Sequence, residues 1–326
     1  MRIFFAADID PPEAQAWREA LQSAAPGHEW LTPSRPDVAE PQPVQADVAV
    51  VANPPAGALS QVQGLRLIQS LWAGVDRLLS DRTVPQGLPL ARMVDPSMTA
   101  AMVQSALWAV TALHRGFFLY AQQQRAGLWH QLPQQRAADV RVLVLGLGTM
   151  GAAVAAALAA QGYGVSAWRR GTADATAPQT AEAEGPAGVA VLRGTEGLEQ
   201  GLAAADVVLN LLPLTPHTRG IVNAGFLSQV KTGAALVNFG RGGHLVEADL
   251  LAALDAGRLS HAVLDVFATE PLPPEHPFWR HPRVTVLPHV AALTDLRSAA
   301  EVVADNLARL QAGRPLLHLV DRQRGY

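Results

Sequence analysis

The stretch VLVLGLGTMG at residues 142–151 runs from an apolar segment into a turn that contains three glycines, Gly146, Gly148 and Gly151. Glycine weakens strands and helices, so this grouping indicates a backbone that turns tightly or is approached closely. In a G-x-G-x-x-G spacing, the first glycine permits the turn, the second admits a pyrophosphate, and the third lets the next helix pack on the strand. Strands predicted at Val140–Leu145 and Val165–Trp168 favour a dinucleotide site over a turn without a ligand.

The composition is that of a globular protein. The 326 residues are 49% hydrophobic and 16% charged, which suffices for two domains with large cores. The net charge of −3 and the lack of a basic run argue against nucleic acid or an anionic membrane as the main partner. The chain has no cysteine, and its first residues do not resemble a signal peptide. We therefore expect a cytoplasmic protein without disulfides, thiolate metal sites or membrane spans.

The first hundred residues alternate short apolar runs with proline- and glycine-rich breaks, which is typical of an α/β unit. The predicted strands are Arg2–Ala6, at the edge of its sheet, Val48–Ala52 and Leu65–Ser70, and a helix is predicted at Glu13–Ala24. Residues Met98–Arg115 then have helical apolar spacing and are predicted to form a long, largely buried connecting helix.

From Val140 onwards strands and helices alternate, and several strands are continuous apolar runs of the kind that parallel sheets bury on both faces. Besides the two strands named above, we predict strands at Val207–Leu211, Ala235–Asn238, His261–Val266 and Val284–Val286. Helices are predicted at 197–204, 223–230, 247–256 and Arg297–Ala312, and a surface loop at 171–188. The pattern predicts a doubly wound Rossmann domain at 98–290, inserted into an α/β domain formed by 1–97 and 291–326.

The end of the second predicted strand of this domain distinguishes the two nicotinamide cofactors. NAD sites usually place a carboxylate there for the ribose 2′-hydroxyl, whereas this chain has Arg169 and Arg170. Guanidinium groups suit a 2′-phosphate, although a pair of solvated surface arginines is the alternative. The sequence thus favours NADP(H) over NAD(H).

Three further motifs place reactive side chains after predicted strands. NFGRGG carries Arg241, LDVFATEPLP carries Asp265 and Glu270, and VLPHVAA carries His289. Open α/β sheets bind ligands at these strand ends. An arginine can clamp a substrate carboxylate, a histidine can donate a proton to a carbonyl oxygen, and a carboxylate can keep that histidine protonated and oriented.

The other histidines and the long helix need no catalytic role. His244 is the main competitor of His289, but we interpret it as a supporting or surface group near a helix start. His276 and His281 flank a proline-bounded turn without metal-ligand spacing, so no metal site is predicted. Met98, Met102 and Trp108 are interpreted as helix packing, with a possible dimer contact.

Taken together, the motifs resemble the D-isomer-specific 2-hydroxyacid dehydrogenase family, and within it the bacterial A-type glyoxylate/hydroxypyruvate reductases. The resemblance spans nearly the whole chain and includes LWAGVD at 71–76, LNLLPLTPHTRGIVN at 209–223, NFGRGGHLVEADLLAALDAGRL and the terminal VDRQRGY. It implies a Rossmann cofactor domain, a flavodoxin-like substrate domain, a homodimer built around the connecting helix, and reduction of a short 2-keto acid to the 2-hydroxy acid.

The resemblance also implies roles for individual residues. Arg241 would hold the substrate carboxylate and keto oxygen, and His289 would be the general acid with Glu270 as its partner. The segment Trp72, Ala73, Gly74 and Val75 would bind the carboxylate, chiefly through backbone amides. The cofactor would contact Gly146, Gly148, Thr149, Met150, Gly151, Trp168, Arg169, Arg170, Leu212, Pro213, Thr218, Phe239, Gly240, Asp265, His289 and Ala291.

Other functions remain open at this stage. A nicotinamide-sensing binding protein, such as a corepressor, could use the same fold without relying on turnover. A phosphite or formate dehydrogenase would work in the oxidative direction, whereas the arginine pair favours an NADPH-consuming reductase. A β-hydroxyacid dehydrogenase shares the GLGxMG pattern, but would carry it at the start of the chain rather than near residue 142.

Overall fold

The computed structural model describes residues 1–32, 43–171 and 185–326. The chain divides into two compact units, Met1–Met98 with Thr294–Tyr326, and Thr99–Leu293. These boundaries lie within about three residues of the predicted ones. Most of the predicted loop at 171–188 lies outside the described residues.

The strands, in chain order, are β1 (Arg2–Ala7), β2 (Glu29–Leu31), β3 (Val44–Gln45), β4 (Val48–Ala52), β5 (Val62–Gln63), β6 (Leu67–Ser70), β7 (Leu90–Ala91), β8 (Arg141–Leu145), β9 (Gly164–Arg169), β10 (Val189–Arg193), β11 (Val207–Asn210), β12 (Ala234–Asn238), β13 (Leu259–Leu264) and β14 (Val284–Val286). The α-helices are α1 (Pro11–Ala24), α2 (Asp76–Ser80), α3 (Pro96–His114), α4 (Phe117–Arg125), α5 (Thr149–Ala160), α6 (Gly194–Ala204), α7 (Ala224–Gln229), α8 (Glu247–Asp255) and α9 (Leu296–Gln311).

The first unit is built on a parallel sheet with the order β2-β1-β4-β6-β7 among its described strands. Leaving aside the short pair β3 and β5, this is the flavodoxin-like order 2-1-3-4-5. Helix α1 begins after Asp10, whose carboxylate accepts the Glu13 amide, and it packs against α9. The prediction that the first strand is an edge strand was wrong, because β2 pairs outside β1.

The second unit contains a parallel sheet whose described strands have the order β10-β9-β8-β11-β12-β13-β14. This is the doubly wound order 3-2-1-4-5-6 with one strand added, as the sequence predicted. The strand order reverses between β8 and β11, which is where such sheets bind ligands. Strands β8 and β11 are almost wholly buried, because helices cover both faces of the sheet.

The elements that the sequence analysis missed carry weak apolar patterns. Strand β10 is an edge strand with mainly half-exposed residues, so it has no continuous apolar run. Helix α4 follows Gly116, ends in the polar run QQQR, and has no fully buried residue among its nine. Edge strands and exposed helices owe their formation to neighbouring elements rather than to periodicity.

The predicted connecting helix is α3, which begins at Pro96, two residues earlier than expected. The Asp95 carboxylate accepts the Ser97 amide near its start. Ala106, Ala109 and Val110 are buried in the core of the second unit, whereas Trp108 is 44% exposed. In the described part of the chain, no helix combines the length and the apolar character that a membrane crossing needs.

We expect His261 in β13 to make the second unit less stable in acid. Its ring stacks on Phe118 of α4 at a centroid distance of 4.5 Å, and its Nε2 lies 2.9 Å from Thr285 Oγ1. Burial and the charge of His281 lower the pKa of His261 to about 4. The unfolded chain, with an ordinary pKa of about 6.5, therefore binds more protons between these pH values, and stability falls as the pH falls through this window.

We expect wild-type protein to lose on the order of 3 kcal/mol more unfolding free energy than His261→Gln between pH 6.5 and pH 4. Urea denaturation of both proteins across this range measures the difference. Equal losses in the two proteins would contradict the buried neutral histidine.

Candidate active site

The glycine turn lies at the carboxyl end of β8. Gly146 has a φ of 100°, and its amide donates to the Trp168 carbonyl of β9 at 2.9 Å. A Cβ on Gly151 would lie 1.9 Å from the Gly146 carbonyl oxygen, so only glycine fits there. A Cβ on Gly148, by contrast, would meet no described atom within 4 Å. The turn is therefore tight on its inner side and open at Gly148.

This open side suits a pyrophosphate. Helix α5 begins at Thr149 with Gly148 as its N-cap, and a glycine offers no side chain to the first amides of the helix. Those amides and the positive end of the twelve-residue helix form an anion-binding end. The residues present therefore fit a dinucleotide with its phosphates at Gly148 and Thr149.

Several side chains predicted to contact the cofactor instead pack or hydrogen-bond within the protein. The Trp168 ring is buried and its indole N–H donates to the Gly194 carbonyl at 2.8 Å, and the Phe239 ring lies in the core. The Thr218 hydroxyl donates to the Pro213 carbonyl at 2.7 Å and accepts the Thr215 amide. These residues can shape the walls of a cofactor site, but their side chains mainly hold the protein together.

The arginine pair stands at the end of β9. Arg169 is the last residue of the strand and is half-buried, and Arg170 follows it and is exposed. Gly146 hydrogen-bonds to the same strand one residue earlier, at Trp168. The pair thus follows the strand next to the glycine turn, as the sequence predicted.

A histidine–carboxylate pair stands beyond the ends of β13 and β14. His289 Nδ1 lies 2.7 Å from Glu270 Oε2, and Glu270 Oε1 accepts the Phe267 amide at 2.9 Å. The backbone of His289 has a left-handed φ of 56°, which non-glycine residues seldom adopt, and its amide donates to the Asp265 carbonyl. The His289 ring is half exposed to solvent. The pair is thus anchored through one ring nitrogen and open on its other side.

The pKa values of Glu270 and of the nearby Asp265 are shifted in opposite directions. Burial would raise the pKa of Glu270, but hydrogen bonds from His289 and the Phe267 amide, with the charges of His289 and Arg241, hold it below its usual value. Burial raises the pKa of Asp265 despite the amides of Ala291 and Val290 that donate to its carboxyl group. Glu270 is therefore the group set to stay ionised beside the histidine.

Arg241 follows β12 in a closely packed loop. A Cβ on Gly242 would lie 1.8 Å from the carbonyl carbon of Phe267, so the chain after the arginine presses directly on the backbone that leads to Glu270. The Arg241 Nη1 donates to the Gly240 carbonyl at 2.8 Å, which bends the side chain back over its own loop. Arg241, Glu270 and His289 therefore gather at the carboxyl edge of one sheet.

Known proteins resemble this chain in sequence and in fold. Residues 107–291 match the family model described as D-isomer specific 2-hydroxyacid dehydrogenase, NAD binding domain. The chain belongs to this family. As a D-isomer-specific 2-hydroxyacid dehydrogenase it is an oxidoreductase, which confirms the enzyme class predicted from the sequence.

Named relatives cover the whole chain. Glyoxylate/hydroxypyruvate reductase A of Yersinia enterocolitica is 38% identical over 96% of this chain and 97% of its own length. A D-isomer specific 2-hydroxyacid dehydrogenase of Xanthobacter autotrophicus Py2, solved with NADPH and MES, has a TM-score of 0.90 and 37% identity over 100% of this chain and 99% of that one. The NADPH-dependent glyoxylate/hydroxypyruvate reductase of Sinorhizobium meliloti, solved with NADP and sulfate, has a TM-score of 0.89 and 34% identity over the same shares.

In this dehydrogenase the predicted substrate segment follows β6 of the first unit. The Trp72 amide donates to Ser70 Oγ at 3.0 Å, so it is already engaged, and the Trp72 carbonyl accepts the Met93 amide. The Trp72 ring packs edge-on against the buried Trp17 at 5.8 Å. Within the segment, this leaves the amides of Ala73, Gly74 and Val75 as the better candidates for binding a carboxylate.

The surroundings of Arg241 differ from those that its sequence motif predicts. His244, interpreted as a supporting or surface group, is fully buried, so the surface alternative was wrong. It is joined by two buried asparagines that the analysis did not consider, Asn210 and Asn238, which end β11 and β12. A polar residue that closes an otherwise apolar strand was the available signal, since buried amides need partners.

The glycine turn gives a matched pair of substitutions. Gly151→Ala should lower the unfolding free energy by about 1–3 kcal/mol, because its Cβ overlaps the Gly146 carbonyl oxygen. Gly148→Ala should melt like wild type without cofactor but bind NADPH more weakly, since its methyl group occupies the open side of the turn. Thermal unfolding and cofactor titration measure the two effects, and an equal loss of stability in both variants would contradict this geometry.

Proposed function

We propose that this dehydrogenase uses NADPH to reduce a short 2-keto acid, such as glyoxylate or hydroxypyruvate, to the 2-hydroxy acid. The observation that carries the proposal is the 2.7 Å contact between His289 Nδ1 and Glu270 Oε2 at the carboxyl edge of the sheet. A histidine held in this way can act as a general acid toward a carbonyl oxygen. The reductase names and the NADPH and NADP complexes of the relatives support the choice of substrate and cofactor.

In the proposed reaction His289 supplies the proton. Glu270 accepts the hydrogen bond from Nδ1, which leaves Nε2–H of the protonated ring to face the substrate and donate to the keto oxygen. Arg241 binds the substrate carboxylate and polarises the keto group through its guanidinium fork. The nicotinamide, when bound, supplies the hydride that reaches the carbonyl carbon.

Backbone groups complete the proposed binding of substrate and cofactor. Ala73, Gly74 and Val75, with Trp72 beside them, would bind the substrate carboxylate through amides. Asp265 would face the nicotinamide amide. The remaining proposed cofactor contacts are Gly146, Gly148, Thr149, Met150, Gly151, Trp168, Leu212, Pro213, Thr218, Phe239, Gly240 and Ala291.

The absorbance of NADPH and NADH at 340 nm tests the proposal with a panel of 2-keto acids. Fast oxidation of NADPH by glyoxylate or hydroxypyruvate would support it. Tight cofactor binding without oxidation by any keto acid would overturn it and favour the nicotinamide-sensing alternative. Oxidation by a different keto acid alone would overturn only the choice of substrate.

The general acid has a direct test. His289→Ala should lower kcat by a factor on the order of 10²–10⁴, because no group then donates the proton. Glu270→Gln should lose less activity, because the ring keeps its proton donor but loses the carboxylate that holds Nδ1. Steady-state rates from pH 6 to 9 measure both effects. Wild-type turnover in His289→Ala would end its assignment as the acid.

The preference for NADPH rests on Arg169 and Arg170. Replacing both with serine should raise the Kd of NADPH by about tenfold or more and leave that of NADH within about twofold, because only NADPH carries the 2′-phosphate. Arg136→Gln, at an exposed arginine paired with Asp139, is the matched control. Equal weakening of both cofactors would contradict this role.

We also propose that the protein is a homodimer joined around α3 and α4. Exposed apolar side chains are concentrated in this part of the chain: Trp108, Phe117, Leu119, Leu128 and Trp129, the last 95% exposed. Such groups commonly mark an interface with another protein. Sedimentation should show a dimer for wild type and a monomer for Leu128→Ser with Trp129→Ser. A monomeric wild type would contradict the proposal.

A further inference from the structure

The fully buried His244 connects two loops of the proposed site. Its Nδ1 lies 3.1 Å from the Arg241 amide nitrogen, and its Nε2 lies 3.2 Å from the Pro213 carbonyl oxygen. Arg241 is the proposed substrate clamp, and Pro213 begins the 213–218 loop at the proposed cofactor side. We propose that His244 is a positioning residue that couples this loop to Arg241 through its two ring nitrogens.

The contacts define which nitrogen of the ring carries the proton. A backbone amide can only donate, so Nδ1 must accept the hydrogen bond from Arg241 and carries no proton. The Asn210 Nδ2 donates to the same Nδ1 at 2.9 Å. The proton therefore sits on Nε2 and is donated to the Pro213 carbonyl. Nδ1 is therefore the hydrogen-bond acceptor of the ring and Nε2 is its donor.

The two asparagines hold the ring and the arginine loop in place. Asn210 uses its second amide hydrogen on Asn238 Oδ1 at 2.9 Å, and its own oxygen accepts the Leu212 amide. Asn238 accepts the Gly240 amide and donates to the Arg241 carbonyl. The Gly240 amide and the Arg241 carbonyl are therefore both bonded to the buried Asn238 side chain, and His244 connects the network to Pro213.

The His244 ring is closely surrounded by the loops that it connects. A Cβ on Gly240 would lie 3.0 Å from Asn210 Nδ2 and 3.1 Å from His244 Cε1. The His244 carbonyl accepts the Val222 amide at 2.9 Å, and the Thr218 hydroxyl shares the Pro213 carbonyl. A displacement of Pro213 would therefore either break its hydrogen bond to the ring or move the ring, which also bonds the Arg241 amide. Losing one buried partner leaves a donor or acceptor unsatisfied, which is the costly case.

Two conservative substitutions separate the two nitrogens, and the interpretation of their effects rests on the proposed function. In His244→Asn the side-chain oxygen can replace Nδ1 as an acceptor, while the donor to Pro213 is lost. In His244→Gln the terminal amide can replace Nε2–H as a donor, while the acceptor for Arg241 is lost. Substrate KM and kcat, the Kd of NADPH, and the melting temperature are measured for both.

We expect His244→Gln to raise the KM for the keto acid about tenfold and to leave the Kd of NADPH within about twofold. His244→Asn should show the reverse, with the larger change in NADPH binding. A lower melting temperature with unchanged KM and Kd would overturn the proposal, since His244 would then be structural only. Equal changes of KM and Kd in both variants would overturn it as well.

Two further measurements distinguish a failure of the His244 role from a failure of the proposed function and from misfolding of a variant. A wild-type KM in Arg241→Gln would overturn the substrate role of Arg241. A raised KM there, together with a wild-type KM in His244→Gln, would overturn the role of His244 alone. If either His244 variant fails to fold, nitrogen NMR of the wild-type ring decides: a proton on Nε2 supports the network, and a proton on Nδ1 overturns it.

Discussion

Backbone hydrogen bonding between parallel strands organises the site, because it continues past the ends of the strands. Four amides beyond these ends donate to carbonyls at or one residue past the end of the neighbouring strand: Leu211 to Leu145, Phe239 to Asn210, Asp265 to Asn238 and His289 to Asp265. Each bond fixes the position along the strand direction at which the next loop leaves the sheet. A slip of one residue would displace a loop by about 3.3 Å, which no hydrogen bond at the site tolerates. The proposed acid, clamp and cofactor turn are therefore positioned by a ladder that none of their side chains forms.

Two carboxyl groups that follow β13 have different structural roles. Glu270 contacts the His289 ring, and the cationic neighbours and hydrogen bonds keep its pKa low. Asp265 is buried and accepts the amides of Val290 and Ala291, so it holds the backbone that follows the histidine. One carboxyl group orients the ring and the other orients the segment that carries it. The strained backbone of His289 lies between these two restraints.

The motifs predicted which loops follow the ends of the parallel strands, but not the directions of individual side chains. Trp168 and Phe239 belong to motifs that resemble cofactor-binding segments, yet their rings pack into the core. Thr218 likewise uses its hydroxyl within its own loop. Conversely, His244 gave no reason from its spacing to expect a buried network, because two of its partners, Asn210 and Pro213, are 34 and 31 residues away in the chain. Local sequence patterns do not predict which side chains come into contact when the ends of three strands lie side by side.

The sequence by itself determined most of the strand and helix order, the glycine turn and the family, and it named the residues proposed to carry the chemistry. These follow from local spacing: apolar periodicity, glycines where a side chain would clash, and reactive residues directly after strands. Only the tertiary structure decided the edge strands β2 and β10, the side-chain directions of the tryptophans, and the hydrogen bonds of His244 to Arg241 and Pro213. Those depend on contacts between segments that are far apart in the chain, and burial makes each such contact obligatory, because a polar group in the core must find a partner wherever the fold brings one.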